Sequence, residues 1–91
     1  MQLLVRNKVK DFSTWYRYFA ADSDSVAAAE YGVTLVRLWQ IADDPNDVFF
    51  LLDIEDVDRA KAFMARPESQ ELGVKSGVID GEGHFLDAVQ F

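Results

Sequence analysis

The sequence predicts an α+β domain with the element order β-α-β-β-α-β, and three observations carry this prediction. Four stretches alternate between apolar and polar residues, or run apolar, over the length of a strand. Two longer stretches repeat apolar residues at helical spacing. Each of them follows a strand at an aspartate that can cap a helix, in Val9-Lys10-Asp11-Phe12 and Ile54-Glu55-Asp56-Val57. The 91 residues are expected to form one domain, 1–91.

The first strand is predicted over Gln2 to Val9, and its apolar face carries one polar residue, Asn7. Asp11 then caps the first helix, because its carboxylate can accept the free N–H groups of the first turn. This helix carries one aromatic stripe, which consists of Phe12, Trp15, Tyr16 and Phe19.

A second short helix is predicted over Val26–Glu30, with Asp24 or Ser25 as its cap and Gly32 at its C-terminal end. Two strands follow, Val33 to Ala42 and Val48 to Ile54. The intervening turn, Asp43 to Asp47, contains Pro45 and is short, so the two strands are expected to form an antiparallel hairpin.

In the second half of the chain, Asp56 caps a helix from Val57 to Arg66, and Pro67 starts another short helix. Gly81-Glu82-Gly83 is interpreted as a loop, and His84 to Phe91 as the fourth strand. Two βαβ halves joined by a hairpin give a ferredoxin-like, four-stranded antiparallel sheet. Right-handed crossovers place the helices on one face of it.

The other face of the sheet is predicted to be too apolar to remain in water, and this favours a homodimer packed through that open face. The residues expected to face the helices are Leu3, Val5, Val36, Leu38, Phe50 and Leu52. The residues expected on the open face are Leu4, Leu35, Trp39, Phe49 and Leu51, with Arg6, Arg37 and Asp53 available for pairing across an interface. The alternative is a monomer with a partly hydrophobic sheet face.

Composition excludes several kinds of partner. The net charge of −7 repels nucleic-acid phosphate and anionic lipid, so neither nucleic acid nor a membrane surface is expected to bind. The absence of cysteine excludes disulfides and thiolate metal sites. No apolar run reaches the roughly 18 residues of a membrane span, and strand-like sequence follows Met1 directly. A cytoplasmic location is therefore expected.

Element order and motifs together resemble the dimeric α/β-barrel superfamily, which includes antibiotic-biosynthesis-monooxygenase-like (ABM) domains. More narrowly, an uncharacterised bacterial group of small barrels is similar in three motifs: Val9 to Trp15, Asp43 to Val48, and Gly77-Val78. The resemblance spans nearly the whole chain. It implies that the ferredoxin-like protomers dimerise into an α/β barrel.

The resemblance also implies a pocket between the helices and the sheet of each protomer. The residues it places there are Asn7, Trp15, Tyr16, Phe19, Phe63 and Met64. Haem-degrading members of the superfamily pair a first-strand Asn with a Trp and a His on later helices. The helix Val57 to Arg66 has neither residue, so no haem and no other cofactor is expected.

Asn7 and His84 are the two candidates for catalysis. A buried amide needs partners, so Asn7 either bonds local backbone or orients a ligand carbonyl or an anionic intermediate. His84, the one histidine, is either structural and exposed or a titratable group facing a cleft. Its acidic neighbours Asp80, Glu82 and Asp87 match no ligand motif, so no metal site is predicted.

Two functions follow from the resemblance as expectations. The first is a small-molecule-binding barrel that acts as a cofactor-independent monooxygenase or cyclase on an aromatic or polyketide-like compound. The second is a non-catalytic binding protein, either stress-associated or structural.

Overall fold

The computed structural model describes residues 1–23 and 26–91, and it confirms the α+β fold with order β-α-β-β-α-β. The elements are β1 Gln2–Val9, α1 Phe12–Ser23, α2 Val26–Glu30, β2 Val33–Ile41, β3 Asp44–Ile54, α3 Val57–Ala65, α4 Pro67–Lys75 and β4 Val78–Leu86. The cap that the sequence predicts at Asp24 or Ser25 lies outside the described residues.

The four strands form one antiparallel sheet in the order β2-β3-β1-β4. The crossover from β1 to β2 passes over β3, and the crossover from β3 to β4 passes over β1. The hydrophobic core lies between the helices and one face of the sheet, as predicted. Within the described residues no helix is long and apolar enough to cross a membrane.

Both predicted aspartate caps are confirmed. Asp11 Oδ2 accepts the backbone N–H of Thr14 at 2.9 Å, and Asp56 Oδ1 accepts that of Asp58 at 2.8 Å. A second group also holds the start of α1, because Asn46 Oδ1 in β3 accepts the Phe12 N–H at 2.9 Å. Two capping groups therefore fix α1 to the sheet directly after β1.

Gly32 follows α2 with a φ of +69°, in the left-handed region where glycine is favoured, as expected for a helix C-terminus. A Cβ at this position would also lie 2.9 Å from Glu55 Oε2. Gly32 therefore turns the chain into β2 in a space that leaves little room for a side chain.

The alternation predicted for β2 is wrong at one point, because a bulge interrupts it. The register passes from Leu35 opposite Leu52 to Arg37 opposite Leu51, which leaves Val36 as the extra residue. Leu35 therefore packs into the core on the helix side with Leu38, and Val36 is 49% exposed. The predicted faces of Leu35 and Val36 are thus reversed.

Two predicted boundaries also differ from the structure. The turn between β2 and β3 is confined to Ala42 and Asp43, and β3 already begins at Asp44. β4 covers Val78–Leu86 rather than His84–Phe91, so Gly81-Glu82-Gly83 lies within a strand and is not a loop. Pairing with β1 uses backbone groups alone, and a strand with glycines can therefore form where its neighbour fixes the register.

The open face of the sheet carries apolar residues around the Arg6–Asp47 ion pair. Leu4, Phe49 and Leu51 are partly buried there, and Trp39 is 43% exposed. Arg6 makes two hydrogen bonds to the Asp47 carboxylate, Nε to Oδ1 at 2.9 Å and Nη2 to Oδ2 at 2.8 Å. These bonds lower the pKa of Asp47 and raise that of Arg6.

The residues expected to pair across an interface thus have partners within the chain. Arg6 is held by Asp47, and its Nη1 also lies 3.5 Å from Glu82 Oε1. Asp53 Oδ1 accepts a hydrogen bond from Gln2 Nε2 at 3.0 Å. The Arg37 guanidinium lies 6.0 Å from the centre of the Trp39 ring.

Candidate functional site

A cavity of about 250 Å³ lies between the helices and the sheet. β1 and β3 form its floor, α1 forms one wall, and α3 and α4 form the other. The described residues that line it are Val5, Asn7, Trp15, Tyr18, Phe19, Ala28, Phe50, Leu52, Phe63, Met64, Ser69, Leu72, Gly73, Ser76 and Val78.

Stacked aromatic rings define the α1 side of the cavity. The Trp15 ring is 2% exposed and stacks on Phe19 with ring centres 4.6 Å apart. Phe19 in turn contacts Phe50 of β3, with ring centres 4.8 Å apart. Trp15 and Phe19 are spaced i, i+4 and share one helix face, which the double capping of α1 turns toward the sheet. The result is a flat-sided aromatic wall.

Asn7 is the polar group on the floor of this cavity. Strand alternation places it between Val5 and Val9 on the helix side of β1, opposite Val48 in β3. Its side chain is partly buried, and it forms no hydrogen bond with any described residue. The amide therefore does not bond local backbone there, and it remains free for a molecule in the cavity.

The structure brings together most of the sequence-predicted pocket residues. Asn7, Trp15, Phe19, Phe63 and Met64 all line the cavity. Tyr16 does not: its side chain is 46% exposed and stacks on Phe12, with ring centres 5.6 Å apart. Tyr18 lines the cavity instead. The two tyrosines flank the aromatic stripe of α1 on opposite sides, and only the side of Tyr18 faces α3 and α4.

His84 lies away from the cavity, on the open face of the sheet. It is paired with Leu4 in the β1–β4 register, and Leu4 is also on that face. Its imidazole is exposed, with Nε2 3.2 Å from Glu82 Oε2. The two candidates for catalysis, Asn7 and His84, are therefore separated by the sheet and cannot act on one ligand in this cavity.

No family model and no curated protein matches the sequence. Solved structures do. A candidate antibiotic biosynthesis monooxygenase from Caulobacter crescentus superposes with a TM-score of 0.76 at 17% identity, over 98% of this chain and 89% of that one. The chain shares the fold of that structure.

Two other structures show how widely this fold is used. SnoaB, a cofactor-independent oxygenase from Streptomyces nogalater, superposes with a TM-score of 0.70 at 19% identity, over 99% of this chain and 93% of that one. An uncharacterized NIPSNAP domain protein from Burkholderia xenovorans gives 0.68 at 18%, over 100% and 97%. At these identities the likeness shows the fold, while any chemistry depends on the residues of the cavity.

The sequence pattern does not predict the contribution of α4 to the cavity. Ser69, Leu72, Gly73 and Ser76 line it, yet α4 has no strongly apolar stripe that would have singled them out. Both serine hydroxyls have partners within the chain. Ser69 Oγ donates to the Phe63 carbonyl at 2.8 Å, and Ser76 Oγ donates to that of Gly73 at 3.2 Å.

The described lining contains no Asp, Glu, Lys, Arg or His. With both serines bonded internally, the lining side chains whose polar groups have no partner among the described residues are Asn7 and Tyr18, and Tyr18 is 38% exposed. Such a site can orient a neutral molecule by hydrogen bonds, and it has no charge with which to hold an ionic one.

Proposed function

We propose that this protein binds a neutral, flat, largely apolar molecule in the cavity and orients its oxygen substituent with the Asn7 amide. The observation that carries the proposal is a partly buried amide, without a hydrogen-bond partner among the described residues, on an apolar and aromatic floor. Among the described residues no fully buried side-chain polar atom lacks a partner, so the unpartnered Asn7 amide is accessible from the cavity. A ligand carbonyl would take the place of water on it.

The cavity limits the size of this ligand. Its volume of about 250 Å³ lies just below the roughly 300–1,000 Å³ that is usual for small-molecule sites. One or two fused rings therefore fit better than a larger polycycle. Trp15 and Phe19 present a stacked aromatic wall, which favours a planar or nearly planar ring system.

The test compares two bicyclic probes that differ in one carbonyl, α-tetralone and tetralin, by isothermal titration calorimetry. Wild-type protein should bind α-tetralone more tightly, and Asn7→Ala should remove that preference while it retains affinity for tetralin. A hydrogen bond of ordinary strength corresponds to about a threefold to tenfold preference. Equal affinity of the wild type for both probes would refute the role of Asn7.

As a finer proposal, the bound compound is an electron-rich aromatic or polyketide-like molecule that undergoes cofactor-independent oxygenation or cyclisation. The likeness to the SnoaB fold supports this proposal. Asn7 and Tyr18 would stabilise an enolate-like anion of the substrate by hydrogen bonding. The assay is oxygen uptake and product analysis with a hydroxynaphthalene substrate, comparing the wild type with Asn7→Ala.

The alternative is a binding protein without turnover, and the uncharged lining favours it, because the described lining residues offer no carboxylate, imidazole or amine as a general base. Binding of α-tetralone together with no oxygen uptake and no product for any hydroxynaphthalene would support this alternative.

We also propose that two copies of the chain pack through their open sheet faces. Leu4, Phe49, Leu51 and Trp39 form an apolar patch there, and the bonds from Arg6 to Asp47 leave that charge already compensated within the chain. Trp39→Lys places an unpaired charge in the proposed interface. Size-exclusion chromatography with light scattering should show a dimer for the wild type and a monomer for the variant; a monomeric wild type at micromolar concentration would refute the dimer.

A further inference from the structure

Gly81 of β4 lies directly opposite Asn7 in the β1–β4 register, on the same face of the sheet. A Cβ placed on Gly81 would be 2.9 Å from Asn7 Oδ1 and 4.0 Å from Asn7 Cγ. The Oδ1 end of the amide is therefore turned toward Gly81 and the Nδ2 end away from it. We infer that Gly81 is a positioning residue whose missing side chain lets Asn7 direct its N–H donors toward a ligand acceptor.

The backbone does not explain why this position is glycine. Among the described glycines, only Gly32 and Gly77 have a positive φ, so any L residue could adopt the backbone of Gly81. Its N–H donates to Asp80 Oδ1 at 2.9 Å, a bond that an alanine would keep. The reason for a glycine at position 81 is therefore the close approach of the Asn7 side chain.

An alanine at 81 fits only if the amide moves. A carbon–oxygen separation of 2.9 Å is well inside van der Waals contact. The next atom, the carbonyl oxygen of Arg6, is at 3.5 Å and needs no shift. Since the atom in the way is the free end of a side chain, the amide can rotate at small cost to stability. Its donors would then no longer point where they do in the wild type.

Gly83 provides a matched control. It lies two residues further along β4 on the same face, opposite Val5, and its added Cβ would be 3.5 Å from Leu3 Cδ1, an ordinary contact. Alanine at this position leaves Asn7 untouched.

This inference rests on the proposed ligand-binding role of Asn7, and it adds the class of ligand group. A site that presents the Nδ2 donors prefers an acceptor, such as a carbonyl or a phenolate-like oxygen, over a group that only donates. Gly81 would then contribute to specificity without contacting the ligand.

The experiment is a double-mutant cycle on the probe pair, with wild type, Gly81→Ala, Asn7→Ala and the double variant. Gly81→Ala should lose about threefold to tenfold in affinity for α-tetralone and keep its affinity for tetralin. In the Asn7→Ala background the same substitution should change neither affinity. Gly83→Ala should behave as wild type.

A second readout needs no ligand: the side-chain amide signals of Asn7 in a ¹H–¹⁵N NMR spectrum should shift in Gly81→Ala and stay in place in Gly83→Ala. Unshifted signals, or a loss of affinity that persists without the Asn7 amide, would overturn the inference. A wild type that binds α-tetralone and tetralin equally would refute the proposed function. The NMR shift of the Asn7 amide would still test whether Gly81 positions that amide. If Gly81→Ala fails to fold, the double variant should fold, since the clashing amide is gone; failure of both overturns the inference.

Discussion

Replacing Asn7 by leucine should make the protein more stable while it destroys carbonyl recognition. Leucine has the shape of asparagine, so Cδ atoms replace the amide without enlarging the cavity floor. The amide has no hydrogen-bond partner among the described residues and is partly buried, so the gain is expected at the low end of the 1–3 kcal/mol range, about 1 kcal/mol. For a domain of this length that raises Tm by about 4–8 °C.

The assay is thermal and urea unfolding followed by circular dichroism at one protein concentration, because any self-association would make Tm depend on concentration. Asn46→Leu is the matched control. Its Oδ1 accepts the Phe12 N–H at 2.9 Å, so the same exchange removes a helix-capping bond and should cost about 0.5–2 kcal/mol. If Asn7→Leu lowers stability as Asn46→Leu does, the amide is structural and the reasoning about the cavity fails.

Three further outcomes are expected. The bond from Arg6 lowers the pKa of Asp47, so the stabilisation from this ion pair is present at neutral pH and is lost as the pH falls below about 4. Asp47→Asn should therefore unfold at a lower urea concentration than the wild type at neutral pH, and this difference in stability should disappear in acid. Tyr18→Ala should weaken α-tetralone binding about threefold to tenfold and Tyr16→Ala should not, as calorimetry can show, because only Tyr18 lines the cavity. The affinity for α-tetralone should be constant between pH 6 and 8, and a titration there would reveal a charged group that the described lining lacks.

Local signals in the sequence predict the fold well wherever one residue type performs one physical task. Asp11 and Asp56 follow strands and cap helices, and both bonds are present in the structure. The β2 bulge could not be predicted in this way. Leu35 and Leu38 are three apart, a spacing that strict alternation assigns to opposite faces, and only the pairing with β3 shows that Val36 is the extra residue.

The site is less predictable, because it depends on how separate elements are rotated against each other. Asn7 stands out within β1 alone, as a polar residue on an apolar face. Tyr16 and Tyr18 flank the same stripe equally in sequence, and the position of α3 and α4 decides which of them meets the cavity. The sequence pattern assigns Gly81 to a loop, and only the β1–β4 register places it opposite Asn7.

The uncharged cavity restricts the chemistry that the protein could perform. Oxygenation or cyclisation of an aromatic substrate passes through an anion, and a proton has to leave the substrate first. The described lining residues include no carboxylate, imidazole or amine that could accept this proton. Any turnover must therefore use substrates acidic enough to ionise to water, with Asn7 holding the resulting oxygen anion. A rate that rises with the acidity of a series of substituted naphthols would follow from this mechanism, whereas a positioned base would make the rate less sensitive to that acidity.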